Sequence, residues 1–180
     1  GPKNLDLTGR IADGWLGTFF DPDTAADSVD RIGAAATAAG RNPAEIDICV
    51  TVPTSVDPDP VRAADLVRPY AALYIGGMGS PKTNFYHRTA AEMGFRDEAD
   101  EVQRRFLGRD YAGAAAAVPA EFIDRTSLLG DEERIAQRLT RLAAAGVTSV
   151  AVSCFDPDLD GKIATLTTVA AAAQRAEAAK

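Results

Sequence analysis

Residues 46–52 alternate in character. Ile46, Ile48, Val50 and Val52 fall on one side, and Asp47, Cys49 and Thr51 on the other. This is the period-two pattern of a strand with a large branched face and a small face. The apolar runs at 15–20 and 147–155 read as two further strands. Elsewhere the apolar spacing becomes helical. Ala25, Val29, Ile32 and Ala36 share one face of a helix that begins at the acidic turn Asp21-Pro22-Asp23-Thr24 and stops at Gly40. Asp57-Pro58-Asp59-Pro60 opens another helix through Ala64, Val67, Tyr70 and Ala71, which Pro69 is expected to kink or end. Asp131-Glu132-Glu133 starts a third, with Ile135, Leu139 and Leu142 inward and Gly146 as its stop. A last helix over about 160–178 is expected to bury Ile163, Leu166, Val169, Ala170 and Ala173, and a short helix over 5–12 precedes the break at Asp13-Gly14.

Strands alternating with helices predict a parallel sheet with right-handed crossovers, an α/β fold in which the three strands are neighbours in chain order. About a hundred residues separate the second strand from the third, too many for a simple crossover. The excess, about 77–126, reads as a helical insertion, Ala-rich from 89 to 118 and divided by Gly94 and by Gly108-Arg109-Asp110. Ser127-Leu128-Leu129-Gly130 reads as a short extended segment after it. A (β/α)8 barrel needs eight strands and about 250 residues. Three strands in 180 residues therefore predict either a part of a barrel or a small open sheet, in a single domain over 1–180.

Composition narrows the function classes. At 46% hydrophobic and 25% charged the chain can bury a sizeable core. A net charge of −7 argues against nucleic-acid and anionic-membrane partners, which want a basic face. No apolar run approaches the roughly 20 residues of a membrane span. Cys49 and Cys154 sit in separate strand-like runs, as reduced core thiols of a cytoplasmic protein do. No ligand spacing predicts a metal site. Neither GxGxxG nor GxxxxGK[ST] is present, which argues against a Rossmann or P-loop site. The chain opens Gly1-Pro2 without Met, which fits either a protease scar or a natural chain that starts further upstream.

The densest chemistry lies at 76–88. Gly76, Gly77 and Gly79 stand within four residues and predict irregular backbone rather than helix or strand. Lys82, Asn84, Phe85, Tyr86, the single His87 and Arg88 follow closely. One reading is a turn joining two helices. The other is a lid or wall that touches an anionic or aromatic ligand, with Met78 beside it, His87 to polarise a substrate and Lys82 and Arg88 to pair with its charge.

Gly1-Pro2-Lys3-Asn4-Leu5 with Ile11-Ala12-Asp13-Gly14-Trp15 resembles the middle of the luciferase-like monooxygenase family. Ala72-Leu73-Tyr74-Ile75-Gly76-Gly77-Met78-Gly79 with Asn84-Phe85-Tyr86 resembles its coenzyme F420-dependent oxidoreductase branch. Val118-Pro119, Ser127-Leu128-Leu129-Gly130 and Ala145-Gly146-Val147 continue the likeness. The resemblance implies a TIM barrel of which this is the C-terminal part, with the strands that carry the catalytic residues preceding Gly1. It implies hydride transfer between coenzyme F420 (alternatively FMN) and a small organic substrate. It places Gly1 and Pro2, with Lys3 and Asn4, beside the cofactor, where backbone N–H groups just before a helix can bind a phosphate. Gly76, Gly77, Met78, Lys82, Asn84, His87 and Arg88 are the residues of the possible substrate or cofactor loop. The alternatives are an FMN-dependent monooxygenase and a non-catalytic half-barrel module. The expected partner, besides a small-molecule substrate, is a second copy of the chain or the missing N-terminal half.

Overall fold

The structure, a computed structural model, describes residues 1–178. In chain order it comprises α1 (Pro2–Ile11), β1 (Gly14–Thr18), α2 (Ala26–Ala38), β2 (Asp47–Val56), α3 (Pro60–Gly77), α4 (Phe85–Glu92), α5 (Arg96–Leu107), α6 (Tyr111–Ala117), α7 (Ala120–Thr126), β3 (Leu128–Gly130), α8 (Glu132–Ala144), β4 (Ser149–Cys154) and α9 (Leu159–Ala178).

Strand β2 is the centre of a parallel sheet. The Asp47 amide donates to the Asp13 carbonyl on the β1 side, while the Ile48 carbonyl accepts from the Thr148 amide on the β4 side. Successive residues turn their peptide groups to opposite edges, so β1 and β4 flank β2 in the expected order. Strand β3 is short and pairs only with the C-terminal end of β2, Thr54 to Val56. Helices α2, α8 and α9 cover one face, where Ile32, Ile135, Leu142, Val169 and Ala172 bury Ile48, Val50 and Val52. Two crossovers, α2 and α8, on the same face of strands ordered β1-β2-β4 give the winding of a barrel wall.

Between β2 and α8 the chain builds a second layer. Helices α3 to α7 bury one another through Ala63, Val67, Ile75, Val102, Val118, Phe122 and Ile123, and they close over Phe19 and Leu129. The stretch 77–126, read as an insertion, lies inside this layer, which α3 opens and β3 closes.

Helix α1 runs parallel to α2. Arg31 grips both Asp6 oxygens at 2.7 Å and the Pro2 carbonyl at 3.1 Å, and Arg41 reaches the Gly9 carbonyl at 2.9 Å. A side chain at Gly9 would overlap the Ile32 carbonyl, so glycine there permits the close crossing. Helix α2 starts beyond the C-terminal end of β1, so Gly1 also lies at that end of the sheet.

Four expectations need correction. Strand β1 stops at Thr18 rather than at 20, because Phe19 turns to φ 54° and leaves the sheet. Pro69 does not end its helix, since α3 continues to Gly77. Gly76 and Gly77 are therefore helical and not a loop; a side chain at Gly76 would overlap Phe106 on α5. The glycines bring two helices together, and only Gly79, at φ 113°, needs the left-handed region. Helix α9 buries Thr165, Val169, Ala172 and Ala176, leaving Ile163 53% and Leu166 48% exposed. Small residues let it lie close to α8, where Arg175 pairs with Glu132 and Glu133.

The packing reason for Gly76 is testable. Gly76→Ala is expected to lower stability by about 1–3 kcal/mol through overpacking, despite the better helix propensity of alanine. Phe106→Ala in the same protein should remove most of that extra cost. Denaturant melts of the two single variants and the double variant measure the coupling; additive costs would overturn the helix–helix explanation.

Candidate functional site

Partners in a parallel sheet point to the same face, and successive residues alternate. The register therefore puts Leu16, Cys49 and Ser149 on the face away from the helices, followed by Thr51 with Ala151 and Pro53 with Ser153. These side chains are small except Leu16, which is 65% exposed. Cys154 pairs with Thr54 on the opposite face, so the two free thiols do not meet. Burial raises the pKa of both, which keeps them as thiols at neutral pH.

An aromatic rim closes the C-terminal end of this face. Phe19 follows β1 and Phe155 follows β4. Tyr70 and Tyr74 come from α3, Tyr86 from α4 and Phe122 from α7. Phe19 lies 5.8, 5.6, 5.9 and 5.2 Å from the Tyr70, Tyr74, Tyr86 and Phe122 rings, and Tyr70 lies 5.3 Å from Phe155. These are the edge-on and tilted contacts that aromatic quadrupoles prefer. Burial, and then the hydrogen bond with Tyr74, raises the Tyr70 pKa; burial also raises that of Tyr86. Both remain neutral phenols at neutral pH. Phe19 is bulky, buried and left-handed, a conformation that persists only where its surroundings enforce it.

Beside the rim, the buried Asp21 carboxylate accepts from Arg125 Nη2 at 2.6 Å and Nε at 3.0 Å, from Thr24 Oγ1 at 3.0 Å and from the Asp23 amide at 3.2 Å. Asp156, just past Phe155, keeps one buried oxygen without a partner.

The expected cofactor residues separate from the expected loop residues. Gly1 caps the start of α1, with Pro2, Lys3 and Asn4 in its first turn, all exposed. Nothing stands within 4 Å of where a Gly1 side chain would be. This helix start is open to solvent. Pro2 has no amide hydrogen and the Asn4 amide donates to the Gly1 carbonyl at 3.0 Å, so the Gly1 nitrogen and the Lys3 amide and side chain are the donors it offers a phosphate. The 76–88 stretch is different. Gly76 and Gly77 pack on Phe106, and Met78 and Lys82 are exposed. Asn84 donates to the Tyr74 and Ile75 carbonyls at 2.9 and 2.8 Å and accepts from the Tyr86 and His87 amides at 2.9 and 3.2 Å. It stitches the end of α3 to the start of α4. His87 Nε2 lies 2.8 Å from an Asp100 oxygen on α5, and Arg88 lies over Phe85. This stretch sits at the C-terminal end of the sheet through Tyr74 and Tyr86, and the structure engages Asn84, His87 and Arg88 in its own packing. Among the described residues, no three His, Cys, Asp or Glu side chains group to hold a metal.

Sequence reasoning missed the rim and the Asp21–Arg125 pair. Tyr70 and Tyr74 at i, i+4 on a helix were a usable signal; their partner Phe155 was not.

A family model described as luciferase-like monooxygenase matches residues 1–149. The chain belongs to the luciferase-like monooxygenase family. Within the family it is similar to a Mycobacterium tuberculosis protein that carries the name coenzyme F420-dependent oxidoreductase, at 34% identity over 85% of this chain and 45% of that one. It is 30% identical to 5,10-methylenetetrahydromethanopterin reductase of Archaeoglobus fulgidus, over 88% of this chain and 47% of the relative. The coenzyme F420-dependent tetrahydromethanopterin reductase structure from Methanopyrus kandleri matches with TM-score 0.76 and 27% identity, over 93% of this chain and 47% of that one. An F420-dependent secondary alcohol dehydrogenase shares the fold at TM-score 0.66 and 20% identity, over 94% of this chain and 46% of that one. The chain thus spans about half the length of the relatives it matches.

Asn84→Ala removes a helix cap and leaves the Tyr74 and Ile75 carbonyls without their donor. It is expected to cost about 2 kcal/mol and to weaken the near-ultraviolet circular dichroism of the tyrosine cluster. An unchanged melting temperature would return Asn84 to the candidates for ligand contact.

Proposed function

We propose that this chain forms the part of a coenzyme F420-dependent oxidoreductase that binds the cofactor phosphate and closes the substrate side. The reaction is hydride transfer between the deazaflavin and a small organic molecule. The observation that carries the reading is that the start of α1 and the layer α3 to α7 meet the same end of the sheet, the end at which barrel sites are built. Relatives named for coenzyme F420 supply the cofactor class. When bound, the deazaflavin supplies the hydride-carrying carbon, and the protein supplies binding and orientation. Gly1 to Asn4 hold the phosphate, and the aromatic rim shields the flat ring from water. Two isolated, protonated thiols suit a reducing cytoplasm.

Fluorescence titration of the whole enzyme tests this. Coenzyme F420 is expected to bind more tightly than FMN, and Gly1→Val to weaken it by crowding the start of α1. Tighter FMN binding would favour a flavin monooxygenase, and equal affinity for wild type and Gly1→Val would remove the Gly-Pro segment from the site. For the 180-residue chain alone we expect weak binding or none.

We also infer that the chain associates. Away from the aromatic rim the small-residue face of the sheet has no layer opposite it among the described residues, as the exposed Leu16 shows, and parallel sheets are ordinarily covered on both faces. Leu159, Ile163 and Leu166 form a bare stripe on α9. The remainder of the barrel, or a second copy of the chain, covers these surfaces. Sedimentation of the chain at several concentrations should show self-association; a concentration-independent monomer with a cooperative melt would overturn this.

A further inference from the structure

Arg134, Arg138 and Arg141 follow one another at i, i+4 and i+7 along α8, a spacing that puts them on one face. With Asp124 and Ser127 at the α7–β3 junction they line a half-open cavity of about 150 Å³. One water needs about 10–15 Å³ on this measure, so the space admits a polyatomic ion.

The charges around it are unevenly matched. Arg134 pairs with Asp124 at 2.7 Å, and Arg141 pairs with Asp23. Arg138 gives one nitrogen to the Asp124 carbonyl at 2.6 Å, and its distance to that carboxylate is 3.8 Å. Its other nitrogen, Nη1, is buried without a partner, and so is Ser127 Oγ. Ser127 is only 3% exposed. A buried donor left unmade is costly, most of all on a charged group. Burial accordingly lowers the Arg138 pKa from the usual arginine value. Two unsatisfied donors and three guanidinium groups, against the single Asp124 carboxylate in the lining, call for acceptor oxygens.

We propose that this cavity is an oxyanion site of the phosphate class, in which Arg138 Nη1 and Ser127 Oγ donate to the ligand and Arg134 and Arg141 flank it. The ligand is free phosphate or a phosphoryl group on a small molecule. None of these residues belongs to the aromatic rim or to the start of α1, so the proposal is independent of the cofactor reading. Such an anion would tie the β1–α2 loop, the helical layer and α8 together through Asp23, Asp124 and the three arginines.

The test is calorimetric titration of the protein with inorganic phosphate, with ionic strength held constant by chloride. One saturable site is expected. Arg138→Gln should weaken it about tenfold, which corresponds to about 1.4 kcal/mol, and Ser127→Ala should weaken it several-fold. Arg62→Gln, which disturbs the exposed pairs with Asp57 and Asp59 at the start of α3, should leave it unchanged. Glycerol 1-phosphate is the second probe: tighter binding than inorganic phosphate assigns a phosphoryl ligand, weaker binding a free ion. If Arg138→Gln does not fold, Ser127→Ala decides. Heats that do not saturate, or an equal loss with Arg62→Gln, would overturn the site and leave the cavity to water.

Discussion

The Asp21 carboxylate fixes the helical layer to the sheet. It is 1% exposed and gathers two bonds from Arg125, one from Thr24 and one from the Asp23 amide. Arg125 extends the network: it reaches the Met93 carbonyl and lies over the Phe95 ring. One anion thus joins the β1–α2 loop, α7 and the turn between α4 and α5. A buried carboxylate is tolerated only with its charge and lone pairs matched, and its charge partner, Arg125, reaches it only when the layer is seated. Phe19, two residues earlier, holds its left-handed backbone under the same condition, because rings from α3, α4 and α7 enclose it. The site end of the sheet and the helical layer therefore form together or not at all.

Charge is placed to the same effect. The protein carries a net −7, yet its arginines concentrate at seams: Arg31 between α1 and α2, Arg125 and Arg141 toward the β1–α2 loop, Arg134 and Arg138 toward α7. The Arg31 guanidinium beside Asp6, and Arg141 beside Asp23, hold those carboxyls below the usual carboxylate range. A depressed carboxylate pKa stabilises the fold above the unfolded value and loses that contribution as pH falls through the folded one. These pairs are exposed, so solvent and salt reduce their worth. The buried Asp21–Arg125 pair is the one that salt screens least.

The sheet was legible in the sequence because its signal is local. Alternation in 46–52 requires only that one face meet helices, and Ile48, Val50 and Val52 do meet them. The strand order followed from the right-handed rule and needed no long-range information. What escaped was set by distant partners. Asp21 and Arg125 stand 104 residues apart, and nothing in Asp21-Pro22-Asp23 distinguishes a buried anion from a capping turn. Gly76 and Gly77 carry the composition of a loop, and only Phe106 on another helix explains them as a contact. On α9 the larger residues Ile163 and Leu166 suggested the buried face, but the available neighbour, α8, accepts the small ones. The start of α1 was singled out only by likeness to a family, since a bare helix start has no signature of its own, and the structure shows it as an exposed helix end. Arg134, Arg138 and Arg141 escaped the sequence reading of their helix, because their meaning depends on a cavity that the sequence does not show.

The interior face explains why so little side-chain chemistry is found on this chain. In most barrels the inward positions are filled by bulky branched residues that pack as layers. Here Cys49, Thr51, Ser149, Ala151 and Ser153 occupy them, with only Leu16 large. Small residues fill little of the space on that face, and Tyr70, Tyr74 and Phe155 stand at its C-terminal end. A reaction whose reactive carbon belongs to a bound ring asks a protein for room, a dry wall and an anchor for the ring's anionic tail. It does not ask for a nucleophile or a metal cage. On the proposed reading the small face provides the room, the aromatic rim the wall and the start of α1 the anchor. Each depends on a feature that local propensity disfavours or leaves open: an under-filled face, a left-handed phenylalanine and an uncapped helix end. Departures of that kind are expected where a fold serves a ligand as well as its own stability.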